Sequence, residues 1–336
     1  MLGKTIIRIL AVAVLLTLLA VLVPSATPLA IGEEAVEYPA YNPVTLTAQV
    51  EPIPFLENTP YAPHKSAYVP FDPSMPFSPQ DKKYYPAYVG YHDASLDVRV
   101  EYTRAYDTTI QLVWVQIAHP SQMRAALCRP YPSKSAAHAA AIAKRVNAVL
   151  AINGDYFTYR KEGYITRNGK APYRQYFGRH IELFDVLIID ENADLHIIPS
   201  YSEEEINDFL TNSGHQIIHS YTFGPGLVID GVRQTEYPLD SYAAEMDTQR
   251  LVLCQMAPLS YLIIATEGPE NKGSTGLTME EISQFCLDMG AQQAYNLDGG
   301  SSASVILGNQ KINSLSTGKT RSVGDILYFV TGIPEE

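Results

Sequence analysis

Three patterns predict an α+β fold of mixed, largely antiparallel β-sheets with a few packed helices in a single domain. Strand-like runs outnumber helix-like ones. Strands and helices do not alternate regularly, as a parallel sheet would demand. The helical segments are few and carry their own start and stop signals. With 336 residues, 46% of them apolar, the chain can bury one large core and still have extensions.

At the N-terminus Lys4 and Arg8 precede an apolar run over residues 9–23, and Ser25 and Ala26 follow. That is the layout of a secretory signal with cleavage after Ser25. Uncleaved, residues 6–23 are just long enough to span a bilayer. Residues 1–30 are therefore expected to be a signal peptide or membrane anchor, and the protein secreted or membrane-anchored, outside the cytoplasm. Residues 31–91 are dense in proline from Pro39 to Pro86, which blocks helices and central strands. They read as a Pro/Tyr-rich, mostly extended linker. The other reading wraps them on the domain through Tyr61, Tyr68, Tyr84, Tyr85, Tyr88 and Tyr91. Residues 92–333 are expected to form the folded domain.

Within that domain residues 97–103 alternate as a strand, and 109–118 read as a more buried one. Residues 135–147 are alanine-rich and helical, with Ser133 or Ser135 as cap and Lys144 and Arg145 near the C-terminal end of the dipole. A buried strand over 148–152 opens into Asn153-Gly154-Asp155-Tyr156-Phe157. Strands over 181–189 and 193–198 flank an Asp190-Glu191-Asn192 turn. A short helix over 202–210, a β-like run over 216–221 and a turn–strand–turn over 223–231 follow. Residues 249–255 and 260–266 read as paired strands. The clearest helix covers 277–289: Thr278 and Glu281 form a capping box, Met279, Ile282, Phe285, Cys286 and Met289 supply an apolar face, and Gly290 stops it. It feeds a strand ending at Asp298. Residues 325–330 close the domain.

The net charge of −12 argues against a nucleic-acid-binding surface. Cys128, Cys254 and Cys286 leave at least one thiol unpaired, so a disulfide framework is not expected. There is no G-x-S-x-G elbow and no P-loop. His215 and His219 have a zinc-like spacing, but on a strand they would stand about 13 Å apart, too far to share an ion. What remains is a set of polar residues at strand ends: Asn153, Asp155, Arg250, Asp298, Ser301 and Arg321. After Asp298, the pair Gly299 and Gly300 signals a positive φ or a close backbone approach, and its amides can form an anion nest. The plain alternative is a hairpin turn. Arg250, just ahead of an apolar run, is either a salt-bridge partner of an aspartate or a clamp on a phosphate.

Four blocks, in order, resemble the phosphodiester glycosidase family: residues 151–157, 223–231, Arg250 with its following strand, and Asn296-Leu297-Asp298-Gly299-Gly300-Ser301-Ser302. Residues 321–325 resemble the family's closing block. The resemblance covers roughly residues 109–332. It departs where Ser301 follows the second glycine and where Leu251 and Val252 follow Arg250. It implies removal of a sugar linked through C1 to a phosphodiester in an envelope or extracellular glycan, so the partner is a phosphate-linked carbohydrate. Asp298 and Asp155 are then the carboxylates placed nearest the anomeric carbon. Arg250 and Arg321, with Asn153, Ser301 and the Gly299 and Gly300 amides, are the groups that hold substrate and phosphate. Aspartates and asparagines are hard oxygen ligands, so a divalent cation is allowed, with no ligand set assigned. The rival reading is a non-catalytic envelope module that binds a phosphate-bearing glycan. Asn153, Asp155, Arg250, Asp298 and Arg321 are expected to line one cleft.

Overall fold

The computed structural model describes residues 38–55, 61–74, 85–160, 163–170, 184–237, 244–314 and 318–335, with the backbone of 174–176. The expected leader lies outside the described residues. No helix among the described residues is long and apolar enough to cross a membrane.

The fold is α+β and almost wholly antiparallel. A large sheet runs in the order β1-β2-β3-β4-β15-β14-β16-β12-β13. Its strands are β1 (Tyr68–Pro70), β2 (Tyr88–His92), β3 (Leu96–Ala105), β4 (Thr108–Ile117), β12 (Gly226–Ile229), β13 (Val232–Arg233), β14 (Leu251–Ala257), β15 (Ser260–Thr266) and β16 (Gln293–Leu297). A second sheet has the order β18-β17-β6-β19-β5, from β5 (Met123–Leu127), β6 (Leu150–Asn153), β17 (Val305–Leu307), β18 (Gln310–Lys311) and β19 (Asp325–Phe329). A third has the order β10-β9-β11, from β9 (Val186–Ile189), β10 (Leu195–Ile198) and β11 (His219–Tyr221), and β7 (Gly163–Ile165) pairs with β8 (Arg174–Tyr176). The helices are α1 (Ala139–Arg145), α2 (Glu203–Asn212) and α3 (Met279–Asp288).

Period-two patterning builds the layers. Leu251, Leu253, Tyr295 and Leu297 point from the large sheet into a central core with Ile152, Leu327, Leu187 and Tyr221 of the smaller sheets. Val252, Cys254 and Ala294 point the other way, onto Ile282, Phe285 and Cys286 of α3. On the outer faces of the smaller sheets, Ile142 of α1 packs on Ile326 and Tyr328, and Ile206 of α2 packs on Val186 and Ile188. The order is helix, sheet, sheet pair, helices. Cys254 and Cys286 meet in the core as free thiols 3.9 Å apart.

The α3 cap is as its sequence predicts: the Thr278 side chain accepts the Glu281 amide. α1 begins later than expected, because Ala137 bridges to Val323 and holds the preceding residues in a ladder. β11 also begins late. The Gln216 amide is taken by Glu191, and residues 216–218 stay out of the strand. Described parts of the proline-rich stretch lie on the domain. Tyr41 packs on Trp114 with ring centres 5.8 Å apart, and Val44 exchanges two hydrogen bonds with the Gln116 side chain. Arg124 donates to the Ile53 and Pro54 carbonyls. Pro70 sits on the edge strand at a register shift, where a missing N–H is tolerated.

Candidate active site

Three strand ends converge on one cluster of polar and charged side chains, the candidate cleft. β6 ends at Asn153, whose amide nitrogen donates to the Asp298 carbonyl (2.9 Å) and whose oxygen accepts the Ser304 amide (2.8 Å). Both ends of this buried side chain are therefore spent on tying β6 to the loop after β16. A Cβ at Gly154 would lie 2.6 Å from an Asp325 carboxylate oxygen. Only glycine lets the Asp155 amide donate to Asp325 Oδ1 at 3.0 Å.

Below the cleft the charges are paired and dry. Arg167 Nε donates to Asp325 Oδ2 at 2.7 Å, and Nη2 lies 2.7 Å from the same oxygen. The guanidinium stacks 4.0 Å from the Tyr221 ring centre. Burial pushes the Asp325 carboxyl up to about 6; Arg167 opposes the rise and the Asp155 charge adds to it. Asp155 is itself fully engaged. Its Oδ1 accepts Arg160 Nη2 (2.9 Å) and the Tyr156 amide (2.6 Å), and its Oδ2 accepts the Thr222 amide (2.8 Å). The Asp155 side chain has no exposed surface.

Asp298 differs. It stands just past β16, its side chain is 11% exposed, and Oδ2 lies 3.7 Å from Arg321 Nη1. Burial pushes this carboxyl up to about 6; the Ser302 hydroxyl and Arg321 offset part of the rise, and the Asp155 charge adds to it. The rim is aromatic and cationic. Arg321 lies 5.6 Å from the Tyr156 ring centre, and Tyr156 faces Tyr159 (5.0 Å) and Phe223 (6.4 Å). Arg160 lies 4.9 Å from the Phe184 ring centre. The Arg321 amide donates to the Ser301 carbonyl at 2.8 Å, which fixes the approach of the two segments.

Asn153, Asp155, Asp298, Gly299, Ser301 and Arg321 thus come together. Arg250 does not join them. Its Nε donates to the Leu277 carbonyl and an Nη to the Met246 carbonyl, both at 2.8 Å, on the α3 side of the large sheet. Alternation explains this: Arg250 shares the face of Val252, whereas Leu251 faces the central core. The Gly300 amide is corrected as a phosphate donor too, because it donates to the Gln249 carbonyl at 3.0 Å. Gly299 is needed for close packing, since a Cβ there would lie 2.5 Å from that same carbonyl.

Sequence reasoning missed Arg160, Arg167 and the role of Asp325. Arg167 follows only the β-branched pair Ile165-Thr166, a run too short to mark it, and its partner is 158 residues away. As for metal ligands, the Asp155 and Asp325 oxygens are taken by arginines and amides. Among the described residues the one group that gathers ligand atoms is Asp190, Glu191 and His215, beyond the far end of β9. His219 is apart from it, wholly buried beside the Met123 carbonyl.

The phosphodiester glycosidase family model matches residues 146–330, a span that contains every residue of the cleft just described. YomE, an SPbeta prophage-derived protein of Bacillus subtilis (strain 168), is 25% identical over 189 residues, 55% of this chain and 28% of that protein. The chain therefore spans little more than a quarter of that relative's length. In structure, the catalytic domain of zebrafish N-acetylglucosamine-1-phosphodiester alpha-N-acetylglucosaminidase, auto-inhibited by its pro-peptide, matches with a TM-score of 0.55. The match is 14% identical and covers 78% of this chain and 86% of that one. At that identity the likeness establishes the fold alone.

Proposed function

The chain belongs to the phosphodiester glycosidase family, and from that premise we propose that it hydrolyses the bond between a sugar's C1 and the phosphate of a sugar-1-phosphodiester, with Asp298 as the carboxylate that acts at the anomeric carbon. As a member of that family it is a hydrolase. The observation that carries the assignment to Asp298 is the contrast in commitment. Asp155 and Asp325 give their oxygens to arginines and amides, whereas Asp298 reaches the cleft beside the cation Arg321.

The chemistry suits this arrangement. Water's oxygen joins C1 and gives up one proton to solvent, the C1–O bond breaks, and the phosphate monoester departs with the electron pair. Its second pKa is about 6, so it leaves without strong help from a general acid. The site must instead offer cations to the leaving phosphate and a carboxylate to the positive charge growing at C1. Arg321 and Arg160 are the cations, and the Tyr156, Tyr159 and Phe223 rings offer an apolar wall to the sugar. Asp155 becomes a positioning residue that orients Arg160. Asn153 keeps the Asp298 loop in place. Residues 1–30 would deliver the enzyme outside the cytoplasm, where an envelope or extracellular phosphate-linked glycan is its substrate.

The purified full chain should release free sugar from a panel of hexose- and N-acetylhexosamine-1-phosphodiesters. Asp298→Asn should lower turnover by about a thousandfold or more while substrate binding persists, because the lost interaction belongs to the transition state. Full turnover by Asp298→Asn with an unchanged melting temperature would overturn the assignment. Binding without turnover by the wild-type chain would make it a glycan-binding module.

A further inference from the structure

At the opposite end of β9 from the cleft, four ligand-type side chains converge from three segments. Asp190 and Glu191 form the turn after β9, His196 lies on β10, and His215 lies in the loop between α2 and β11. His196 Nε2 and His215 Nδ1 both lie 3.0 Å from Asp190 Oδ2, and His215 Nδ1 is 3.2 Å from Glu191 Oε1. The two imidazole centres are 5.4 Å apart. We propose that Asp190, Glu191, His196 and His215 bind one divalent transition ion of the zinc class, which pins the β9–β10 turn to the loop entering β11.

The carboxylates are held ready for this. Asp190 Oδ1 accepts the Asn192 (2.8 Å) and Asp194 (2.9 Å) amides, which turns Oδ2 toward the two histidines. Glu191 Oε2 accepts the Gln216 amide at 2.7 Å, which turns Oε1 toward His215. The Asp190 side chain has no exposed surface, while His196 and His215 are about one-third exposed. An ion can enter from solvent.

The donor set selects the metal. Calcium and magnesium take oxygen ligands, whereas two imidazole nitrogens with carboxylate oxygens suit zinc and its neighbours. Zinc bonds of about 2.1 Å at tetrahedral angles place neighbouring ligand atoms about 3.4 Å apart. The three contacts at 3.0, 3.0 and 3.2 Å need only a few tenths of an ångström of opening, while His196, which falls outside the set of ligand atoms within 4.8 Å of one another, must turn further in. Binding exchanges each N–H···O contact for a nitrogen–metal bond and releases protons. β9 has four residues, so it separates this cluster from the cleft by roughly 13 Å. The ion is structural, and the proposal does not rest on the assignment of Asp298.

The test uses the full chain, stripped with a chelator and titrated with zinc alone, with calcium as the control. Zinc should bind at one equivalent, release protons and raise the melting temperature by several degrees; calcium should do neither. Cobalt should give the visible spectrum of a tetrahedral site. The double variant His196→Ala/His215→Ala should lose the high-affinity equivalent. Because that variant could fold poorly, Glu191→Gln, at the surface, should fold normally and bind zinc about tenfold or more weakly. Folded wild-type protein that takes up no zinc equivalent would overturn the proposal. So would equal zinc affinity in the wild type, the double variant and Glu191→Gln, which would place the ion elsewhere.

Discussion

Asp155 and Asp298 carry the same functional group, and each stands just past the end of a buried strand beside a glycine. They sit in one cleft and feel each other's charge. One is surrounded by Arg160 and two backbone amides with no exposed surface. The other keeps part of its surface open and has an exposed arginine at 3.7 Å. Inside the cleft the carboxylates are spent on holding the fold: Asp325 fixes Arg167 and the Asp155 amide, and Asp155 fixes Arg160. At the rim the Asp298 carboxylate keeps part of its surface open beside Arg321. A strand end makes an aspartate available; the number of donors that reach it decides whether it builds the site or works in it.

The sharpest way to break this comparison is to remove the interior anchor. Asp325→Asn leaves the Arg167 guanidinium charged and without its carboxylate in a place that is 1% exposed. Breaking a buried pair by removing one partner costs about 3–5 kcal/mol, which urea denaturation should register as a large fall in midpoint. Replacing both partners, Asp325→Leu with Arg167→Met, should recover part of the loss, since neither member of the pair is left as an unpaired buried charge. A loss below about 1 kcal/mol for Asp325→Asn would mean that the interior is no more structural than the rim.

The second test asks whether Asp298 is a strained anion. Its carboxyl is raised from 3.8 to about 6, so the folded state holds the proton more tightly than the unfolded one. The stability this group contributes is full below about pH 4 and is lost as pH rises through about 6. The rise is worth on the order of 2–3 kcal/mol. Asp298→Asn removes that penalty. Its melting temperature should equal the wild type's near pH 4 and exceed it progressively toward pH 7. Wild-type turnover should climb over the same interval, because the reacting form is the carboxylate. Parallel melting curves for the two proteins at all pH values would sink the idea.

Much of the fold was legible from pattern. The α3 capping box, its apolar face and Gly290 mark a helix that depends on nothing distant. The runs that became β3, β4, β14 and β15 announce themselves by apolar and β-branched content. The site was legible only as a set of strand ends. The sequence marks Asn153, Asp155, Asp298 and Arg321 as polar residues at strand ends, but not the contacts that distinguish them, because these come from partners such as Thr222, Arg160 and Asp325. These lie close only after three sheets have assembled. Arg250 shows a different failure. Its position at a strand edge was read correctly, yet the face it occupies was already encoded by Val252 and Leu251 and went unused. The Asp190, Glu191, His196 and His215 cluster shows a third. His215 looked outward along its own segment to His219, while its neighbours in space come from the β9–β10 hairpin.

The smallest expected effect on stability belongs to Arg321, and it is the most discriminating for function. Its side chain is 42% exposed, and its contacts are Asp298 at 3.7 Å and the Tyr156 ring. Exposed ion pairs contribute about 0–1 kcal/mol, so Arg321→Met should shift stability by no more than about 0.5 kcal/mol. Two other quantities should move. The Michaelis constant should rise, with kcat/KM falling about 10- to 100-fold, because a cation that meets the phosphate is gone. Arg321 also opposes the rise of the Asp298 carboxyl, so without it the acid limb of the pH–rate profile should move to higher pH. A purely structural role would lower the melting temperature and leave that limb in place. A purely substrate-binding role, remote from Asp298, would raise KM and leave it in place as well. Only an arginine that serves both the phosphate and the carboxylate moves KM and the pH limb together with stability unchanged.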